Sequence, residues 1–373
     1  MRVCIDIQSA IAQRAGVGRY TKSLVEHLGA FAGADELALF YFDFQRKGIP
    51  FAVSGARQRA VRWVPGRVVQ QAWKRIGFPP FDWLAGGAEV YHFPNFIRPP
   101  LGRGRSVVTI HDVSFLHFPH AAEAKNLRYL QARIRDTVER ADAIVTDCAF
   151  VGREICELLG APAAKVHPIP LGLPDGFARP ADDAIRAVRA RFGLVRPYLL
   201  MVSTLEPRKN IPFLIELFER MEGFDGDLVL AGMKGWKFDP ILERMRASPR
   251  AARIRHLDYV GDADLPALYA GAELFVFPSL YEGFGFPPLE AMACGTPVLS
   301  SAGGSLAEVL GDDAEILREF DADAWAQRAL ALLGDSARRA DLVARGHTRA
   351  ARYTWADTAR RTWAVYRACG RSP

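Results

Sequence analysis

The residues whose types and spacing could do chemistry lie in a few short segments. Glu282 and Glu290 stand eight positions apart, joined by Gly283-Phe284-Gly285-Phe286-Pro287-Pro288-Leu289. Proline suits the first turn of a helix and Gly295 suits its end, so 282–287 reads as a glycine-containing loop delivering into a helix over 287–294. Free backbone N–H groups and a positive dipole at such a point bind anions, phosphate above all. The two glycines let backbone approach a ligand closely. The carboxylates do not face each other along one helix, but they can accept hydroxyls from two ends of an extended polyhydroxylated ligand. The plainer alternative is that Glu290 complements the helix dipole and Glu282 is solvated. Arg208 and Lys209 form a second pair, set between a strand and a helix in Thr204-Leu205-Glu206-Pro207-Arg208-Lys209-Asn210. Their plainer reading is a solvated turn. His111, followed by Asp112, closes a strand. Gly16-Val17-Gly18 gives only G-x-G after the first strand, a weak signal by itself.

Positioning these residues requires alternating strands and helices, and the sequence carries them. Arg2–Ile7, Leu37–Phe42, Ala88–Phe93, Ser106–Ile110, Ala143–Thr146 and Val166–Ile169 are apolar strand runs, with helical spacing over 18–31 and 121–140. Buried, non-alternating strands in repeated β-α-β order imply a parallel doubly wound sheet. Pro168, Pro170, Gly172, Pro174, Gly176 and Pro180 mark a connection. A second series follows, with strands over 198–202, 228–231, 254–257, 274–278 and 298–300, and helices over 211–222, 238–247, 264–271, 287–294 and 304–310. Thr354-Trp355-Ala356-Asp357 has the form of a capping box with Asp in place of Glu and opens a last helix. The expected division is 1–174, 175–353 and a final helix, 354–373, crossing back to the first domain. Ligands bind at the carboxyl ends of such sheets, and two sheets facing across a cleft would place the segments above between them.

Composition bounds the function. The chain has 373 residues, half of them hydrophobic, with a mean hydropathy of zero, as in an ordinary soluble globular protein. Dominant disorder and multiple membrane spans are excluded. The N-terminus reads as a first strand rather than a signal peptide, and the five cysteines form no Cys-x-x-Cys pair, so a cytoplasmic chain without a disulfide framework or zinc site is expected. Cys4 and Cys294 read as core. The net charge is +6. No Asp or Glu lies between Phe44 and Phe81, where Arg46, Lys47, Arg57, Arg59, Arg62, Arg67, Lys74 and Arg75 are interleaved with Trp63, Trp73, Phe78 and Phe81. Basic charge beside aromatics suits an anionic bilayer surface; the alternative is a solvated basic face over core aromatics. No nucleic-acid module is recognisable, and no nucleic-acid partner is expected. A nicotinamide dehydrogenase is disfavoured, because Gly18 is followed by no third glycine and only Asp43 could end the second strand with an acid. Asp225-Gly-Asp227, Asp262-Ala-Asp264 and Asp321-Ala-Asp323 resemble D-x-D metal motifs superficially; the second and third read as helix caps and the first as a turn, and no metal is expected.

The segment Glu282-Gly283-Phe284-Gly285…Glu290 resembles the E-x7-E motif of retaining glycosyltransferases of family 4, the mannosyltransferase-like group 1. Gly295-Thr296-Pro297-Val298…Gly303-Gly304-Ser305…Glu308, Thr204–Asn210, Gly16–Tyr20 and His111-Asp112-Val113 are similar to the same family's other motifs, in order, over nearly the whole chain. The resemblance implies the GT-B fold, two Rossmann-like doubly wound domains facing across a cleft, and a nucleotide-sugar donor on the C-terminal domain. It implies that Glu290 holds the ribose and Glu282 a hydroxyl of the transferred sugar. The backbone of Gly283, Phe284, Gly285 and Phe286 contacts sugar and diphosphate, Lys209 and Arg208 neutralise the diphosphate, and Val260 reads the base. Gly16 and Gly18 lie near the acceptor and the diphosphate, and His111 orients the sugar or stabilises developing charge. His92, Asn95, Arg98 and Asp112 line the acceptor side; His117 and His120 are loop residues. Many members carry Arg where this chain has Thr204, which moves that cation to Arg208. No carboxylate stands as a nucleophile, so the resemblance favours same-face attack with the departing phosphate taking the acceptor proton. The expected reaction moves a hexose from GDP-mannose or a related GDP-deoxyhexose to a lipid-linked or polysaccharide glycan, at the inner face of the cytoplasmic membrane and without a cofactor. The alternatives are a UDP-sugar donor with a small soluble acceptor, or a sugar-nucleotide epimerase.

Overall fold

The computed structural model describes residues 1–12, 16–121 and 124–371. The chain forms two compact units. The first comprises Met1–Val113, Lys125–Gly172 and Thr354–Pro373; the second comprises Ser114–Ala124 and Leu173–Tyr353.

The first unit holds seven parallel strands: β1 (Arg2–Asp6), β2 (Glu36–Phe42), β3 (Ala56–Val61), β4 (Val90–Phe93), β5 (Arg105–Thr109), β6 (Ala143–Thr146) and β7 (Val166–Pro168). Their order is β3-β2-β1-β4-β5-β6-β7. Ile5 is paired with Leu39 on one side and His92 on the other. Val3, Cys4, Ile5, Val90, Val107 and Ile144 are fully buried. Each such valine or isoleucine side chain contributes about 1.5–3 kcal/mol on leaving water. Strand β3, Ala-Arg-Gln-Arg-Ala-Val, was not expected. It is an edge strand with Arg57 and Gln58 exposed, so it lacks the apolar run that marks the central strands. The basic stretch that follows contains the helix Gly66–Ile76 and a short helix, Phe81–Ala85. Its aromatics divide: Phe81 is core and Trp73 is half-buried, whereas Trp63 and Phe78 are exposed.

The last helix, Trp355–Arg371, packs against the helix Val17–Leu28 of the same unit. Trp363 and Tyr366 are fully buried, and the Trp363 indole donates to the Leu28 carbonyl at 2.7 Å. Thr354 Oγ1 accepts from the Asp357 N–H, as a capping residue does.

The second unit holds six parallel strands: β8 (Tyr198–Val202), β9 (Asp227–Ala231), β10 (Ile254–His256), β11 (Leu274–Phe277), β12 (Val298–Ser301) and β13 (Glu315–Leu317), ordered β10-β9-β8-β11-β12-β13. The three-residue β13 was also unforeseen, for it is short and only half-buried. In each unit the strand order reverses at one point, between β1 and β4 and between β8 and β11. Ligands of open parallel sheets bind at the carboxyl ends beside such a reversal.

Candidate active site

The loops after β8 and β11 converge at the reversal point of the second unit. The chain leaves β8 through a single 3-10 turn, Pro207–Lys209, and enters the helix Ile211–Arg220. It leaves β11 through Ser279–Gly285 and enters the helix Phe286–Ala293, with Pro287 and Pro288 in its first turn. Glu282 and Lys209, 73 residues apart in sequence, meet here: Lys209 Nζ donates to Glu282 Oε1 at 2.6 Å. Ser279 Oγ donates to the same oxygen at 2.5 Å, and Arg208 donates to Glu282 Oε2 at 3.2 Å. Arg208 also bonds Glu206 Oε1 at 2.7 Å and the Tyr281 carbonyl. Lys209 and Glu282 are both buried, 9% and 7% exposed, which excludes the solvated turn for Lys209 and the solvated carboxylate for Glu282.

Burial alone would push the Glu282 carboxyl up. The Lys209 and Arg208 charges and the Lys209 and Ser279 hydrogen bonds outweigh it and hold the group at about 2. Glu206 behaves oppositely. Burial dominates and raises it, with Arg208 and Lys209 opposing and the Glu282 charge adding to the rise.

Two glycines fix the shape of the loop. Gly285, immediately before the helix, has φ 99°, a conformation that L side chains rarely adopt. Gly304 has φ 64° and lies against Glu282, where a Cβ would come within 2.4 Å of the Glu282 carbonyl oxygen. The Ser305 N–H and Oγ then tie the loop down at the carbonyls of Glu282 (2.9 Å) and Phe284 (3.1 Å). Glu290 lies in the helix, 2% exposed, and accepts from Tyr269 Oη at 2.8 Å. Thr204 lies half-buried just after β8, beside Gly235, and Val260 is buried in the loop after β10. Glu206, Ser279 and Tyr269 were not singled out by sequence, although Ser279 occupies the strand-end position where such residues collect. His117 is helical and His120 lies in a 3-10 turn. The His117 ring rests 5.4 Å from that of Tyr281, so this segment borders the Glu282 loop.

Each acidic D-x-D pair has at least one carboxylate engaged elsewhere. Asp225 bonds Arg196 and Arg253. Asp321 caps the helix Ala322–Gly334 through the Ala324 N–H. Asp264, expected to cap, stands at a helix start without a capping bond, its carboxylate turned to Arg191.

In the first unit, His111 follows β5. Its Nδ1 lies 2.9 Å from Asp147 Oδ2 and its Nε2 lies 3.0 Å from the Pro94 carbonyl. Both neighbours are acceptors, so the ring is best satisfied as the doubly protonated cation. Burial lowers its affinity for the proton, but the Asp147 charge and hydrogen bonds reverse this and raise it above the ordinary value. Asp147 directly follows β6 and was missed, though a strand-end acid is the pattern that singles out such residues. The Tyr20 ring stands edge-on to His111 at 4.6 Å. Gly16 has φ 56° at the start of the Tyr20 helix, and Gly18 is buried within that helix. Asp112 is half-buried beside His111.

His92 corrects an expectation. It lies within β4, fully buried, and lines no binding surface. Its nitrogens bond Tyr366 Oη at 2.6 Å and Thr109 Oγ1 at 2.8 Å, and burial pushes it down to about 3. A neutral histidine here ties the last helix to the sheet. Asn95 and Arg98, just beyond β4, do border a cavity of about 310 Å³.

Comparison with known proteins agrees with these loops. The pattern of the glycosyl transferases group 1 matches residues 188–349, and that of glycosyltransferase family 4 matches residues 14–175. The O-antigen chain mannosyltransferase B of Escherichia coli is 31% identical over 375 residues, covering 94% of this chain and 96% of that one. The serotype-specific mannosyltransferase WbdA of Escherichia coli is 32% identical over 232 residues, 59% of this chain and 28% of its own length. Among solved structures, sucrose-phosphate synthase from Thermosynechococcus elongatus superposes with a TM-score of 0.79 at 20% identity, covering 99% of this chain and 98% of the other, a likeness of fold. The chain is thus a glycosyltransferase of the GT-B fold and belongs to glycosyltransferase family 4.

Proposed function

We propose that this protein is a retaining mannosyltransferase that moves a hexose from GDP-mannose, or a related GDP-deoxyhexose, to a lipid-linked glycan in the assembly of O-antigen or a similar polysaccharide. The observation that carries this reading is the buried Glu282–Lys209–Arg208 cluster at the mouth of the β8/β11 reversal, in a chain similar along 94% of its length to an O-antigen mannosyltransferase.

The second unit binds the donor. Glu290 takes the ribose and Val260 lies against the base. Backbone from Gly283 to Phe286 receives the sugar and diphosphate at the N-terminus of the helix Phe286–Ala293. As the glycosidic bond breaks, negative charge gathers on the departing diphosphate, and Lys209 and Arg208 stabilise it from fixed positions. Lys209 has donor capacity left after its bond to Glu282, and the two cations need no metal beside them. Glu282 accepts a hydroxyl of the transferred sugar. Three of its acceptor sites are taken by the two cations and Ser279, which leaves room for that hydroxyl, and a carboxyl near 2 is a weak nucleophile. That favours same-face attack, with the departing phosphate taking the acceptor proton, over a covalent glycosyl-enzyme. His111, with both nitrogens already given to oxygen acceptors, suits charge stabilisation better than general-base work.

Peripheral attachment to the inner face of the cytoplasmic membrane completes the proposal. Among the described residues no helix is long and apolar enough to cross a membrane. Trp63 and Ile76 are each 72% exposed and Trp83 is 67% exposed, within a stretch whose Arg46, Lys47, Arg67 and Arg75 are also exposed. Part of the charge is internally paired, Arg57 with Glu36 and Arg62 with Asp43.

The test is calorimetric titration with GDP, UDP and ADP without added metal. Selective GDP binding is expected, followed by an α-linked product when GDP-mannose is supplied with a glycan acceptor. Selective UDP binding would overturn the donor, and no binding of any of the three would overturn the nucleotide-sugar reading.

A further inference from the structure

Four ionisable side chains of the second unit share one cluster. Glu206 leads into the turn Pro207–Lys209, which carries Arg208 and Lys209, and Glu282 reaches them from the loop after β11. Two carboxylates and two cations meet there, so their charges cancel when all four are ionised. Glu206, Lys209 and Glu282 are buried, Glu206 most deeply at 2% exposed. Charges taken out of water in this way depend on their partners and on hydrogen bonds.

The two carboxylates are not held equally. Glu282 accepts from Lys209, Ser279 and Arg208. The Glu206 carboxylate accepts from Arg208 alone among the described residues, Nη2 to Oε1 at 2.7 Å. Arg208 is the shared member: its Nη1 is turned to Glu282 and the Tyr281 carbonyl, its Nη2 to Glu206. The neighbouring charges have other partners. Lys234, on the loop that bridges to Leu205, lies with its ammonium 5.7 Å over the Phe238 ring, and Lys237 donates to the His120 carbonyl. The helix Ile211–Arg220 spends Glu216 on Arg220 and Glu219 on Arg244. His117, its ring 5.4 Å from that of Tyr281, is a titratable group of the adjoining segment. Burial opposes the ionised form of Glu206 most, the Glu282 charge opposes it further, and Arg208 and Lys209 favour it.

A diphosphate that reaches Arg208 and Lys209 adds negative charge to a cluster already balanced. A cation serving phosphate oxygens attracts a carboxylate less, and the charge with the fewest donors is the one to be neutralised. Glu282 keeps the Ser279 hydroxyl; Glu206 depends on Arg208. We infer, resting on the donor reading above, that Glu206 is a positioning residue that gives up its charge to a proton when the diphosphate binds: a solvent proton adds to the Glu206 carboxylate, no other covalent bond forms or breaks, and the Arg208 guanidinium, still bonded to the carbonyl oxygen of the neutral acid, directs its charge to the diphosphate. The proton returns to solvent as the nucleoside diphosphate leaves. Glu206 thereby aims Arg208 without cancelling the charge that stabilises the leaving group.

Calorimetry of the full chain with GDP-mannose, repeated in buffers of different ionisation enthalpy, counts the protons taken up on binding. GDP-mannose is the probe because its phosphates are both esterified, whereas the terminal phosphate of GDP titrates near neutrality itself. Uptake of about 0.3–1 proton per donor is expected between about pH 6 and pH 8, with affinity falling about threefold or more as pH rises across that range. Glu206→Gln keeps an acceptor for Arg208 and carries no charge. Its uptake should vanish, and at about pH 8 it should bind GDP-mannose about threefold more tightly than the parent. A residue that only shaped the turn would give weaker binding at every pH and an unchanged proton count, and that result overturns the inference. Binding to the parent without uptake overturns it as well, as does uptake that persists in Glu206→Gln, which would place the proton on another group such as His117. The count on the parent needs no variant, so it judges the inference even if Glu206→Gln fails to fold. If GDP-mannose does not bind, the same count is made with UDP-glucose; failure of both would instead strike the nucleotide-sugar reading beneath it.

Discussion

Replacing Lys209 by methionine separates the structural and chemical parts of the Glu282 cluster. The ammonium lies 2.6 Å from Glu282 Oε1 and both side chains are about 10% exposed, 11% and 9%. Methionine keeps the stem volume and removes the charge. Glu282 then retains Arg208 at 3.2 Å and Ser279 at 2.5 Å, but its buried charge is no longer balanced. Removing one partner of a buried pair costs about 3–5 kcal/mol, and the surviving Arg208 places this site near the lower end, about 3 kcal/mol. At about 2–4 °C per kcal/mol for a unit of this size, the melting temperature should fall by about 6–12 °C. Transfer should fall by about a hundredfold or more, the usual loss when one fixed charge-stabilising group is deleted. The decisive comparison is the double variant Lys209→Met with Glu282→Gln. With no orphaned carboxylate left, it should regain most of the melting temperature yet stay inactive. Thermal melts and initial transfer rates measure both. A Lys209→Met protein that melts within 1 °C of the parent and keeps a third of its activity would refute the reasoning, as would a double variant less stable than the single one.

The same carboxylate predicts an acid limb of stability. Its folded value of about 2 lies below the ordinary 4.5, so the group stabilises the fold above pH 4.5, and this contribution, about 3 kcal/mol, is lost as pH falls toward 2. Urea melts from pH 6 to pH 2.5 should show that loss in the parent and a smaller one in Glu282→Gln. For His111, raised above its ordinary value by Asp147, the sign is opposite: its stabilisation is complete below the ordinary histidine range and fades as pH rises through the raised value. Asp147→Asn should lower the His111 titration midpoint, read by NMR, and reduce kcat/KM; an unmoved midpoint would refute the pairing. Gly304→Ala forces a Cβ to within 2.4 Å of the Glu282 carbonyl at φ 64°, and should cost about 1–3 kcal/mol and most of the activity. Unchanged rates would show that the loop does not depend on this approach.

Much was legible in the residues alone, for physical reasons that differ from element to element. Central strands such as β4 and β6 are buried on both faces, so they read as unbroken apolar runs. The edge strand β3 leaves Arg57 and Gln58 exposed because it has a neighbour on one side only, so it lacks an unbroken apolar run, and it escaped notice. The proline-rich start of the helix Phe286–Ala293 and the glycine before it reflect local backbone rules, which need no knowledge of the rest of the chain. Residue type and position after a strand pointed to Glu282, Lys209, Arg208 and His111 as candidates.

Their partners could not be read in the same way. That Lys209 rather than solvent meets Glu282 depends on β8 and β11 lying side by side although β9 and β10 come between them in sequence. Local propensity carries no information about strand order. Nor does it show that Asp147 reaches His111 from the end of β6, the neighbour of β5, or that Tyr366 of the last helix bonds the buried His92. A histidine at a strand end and one inside the sheet look alike in sequence. Burial and hydrogen-bond partners, which only the assembled sheets supply, raise the proton affinity of His111 and lower that of His92. The sequence by itself determined which residue types could act. Packing decided which charges were brought together out of water, and that sets their protonation and strength because electrostatic energies depend on distance and desolvation.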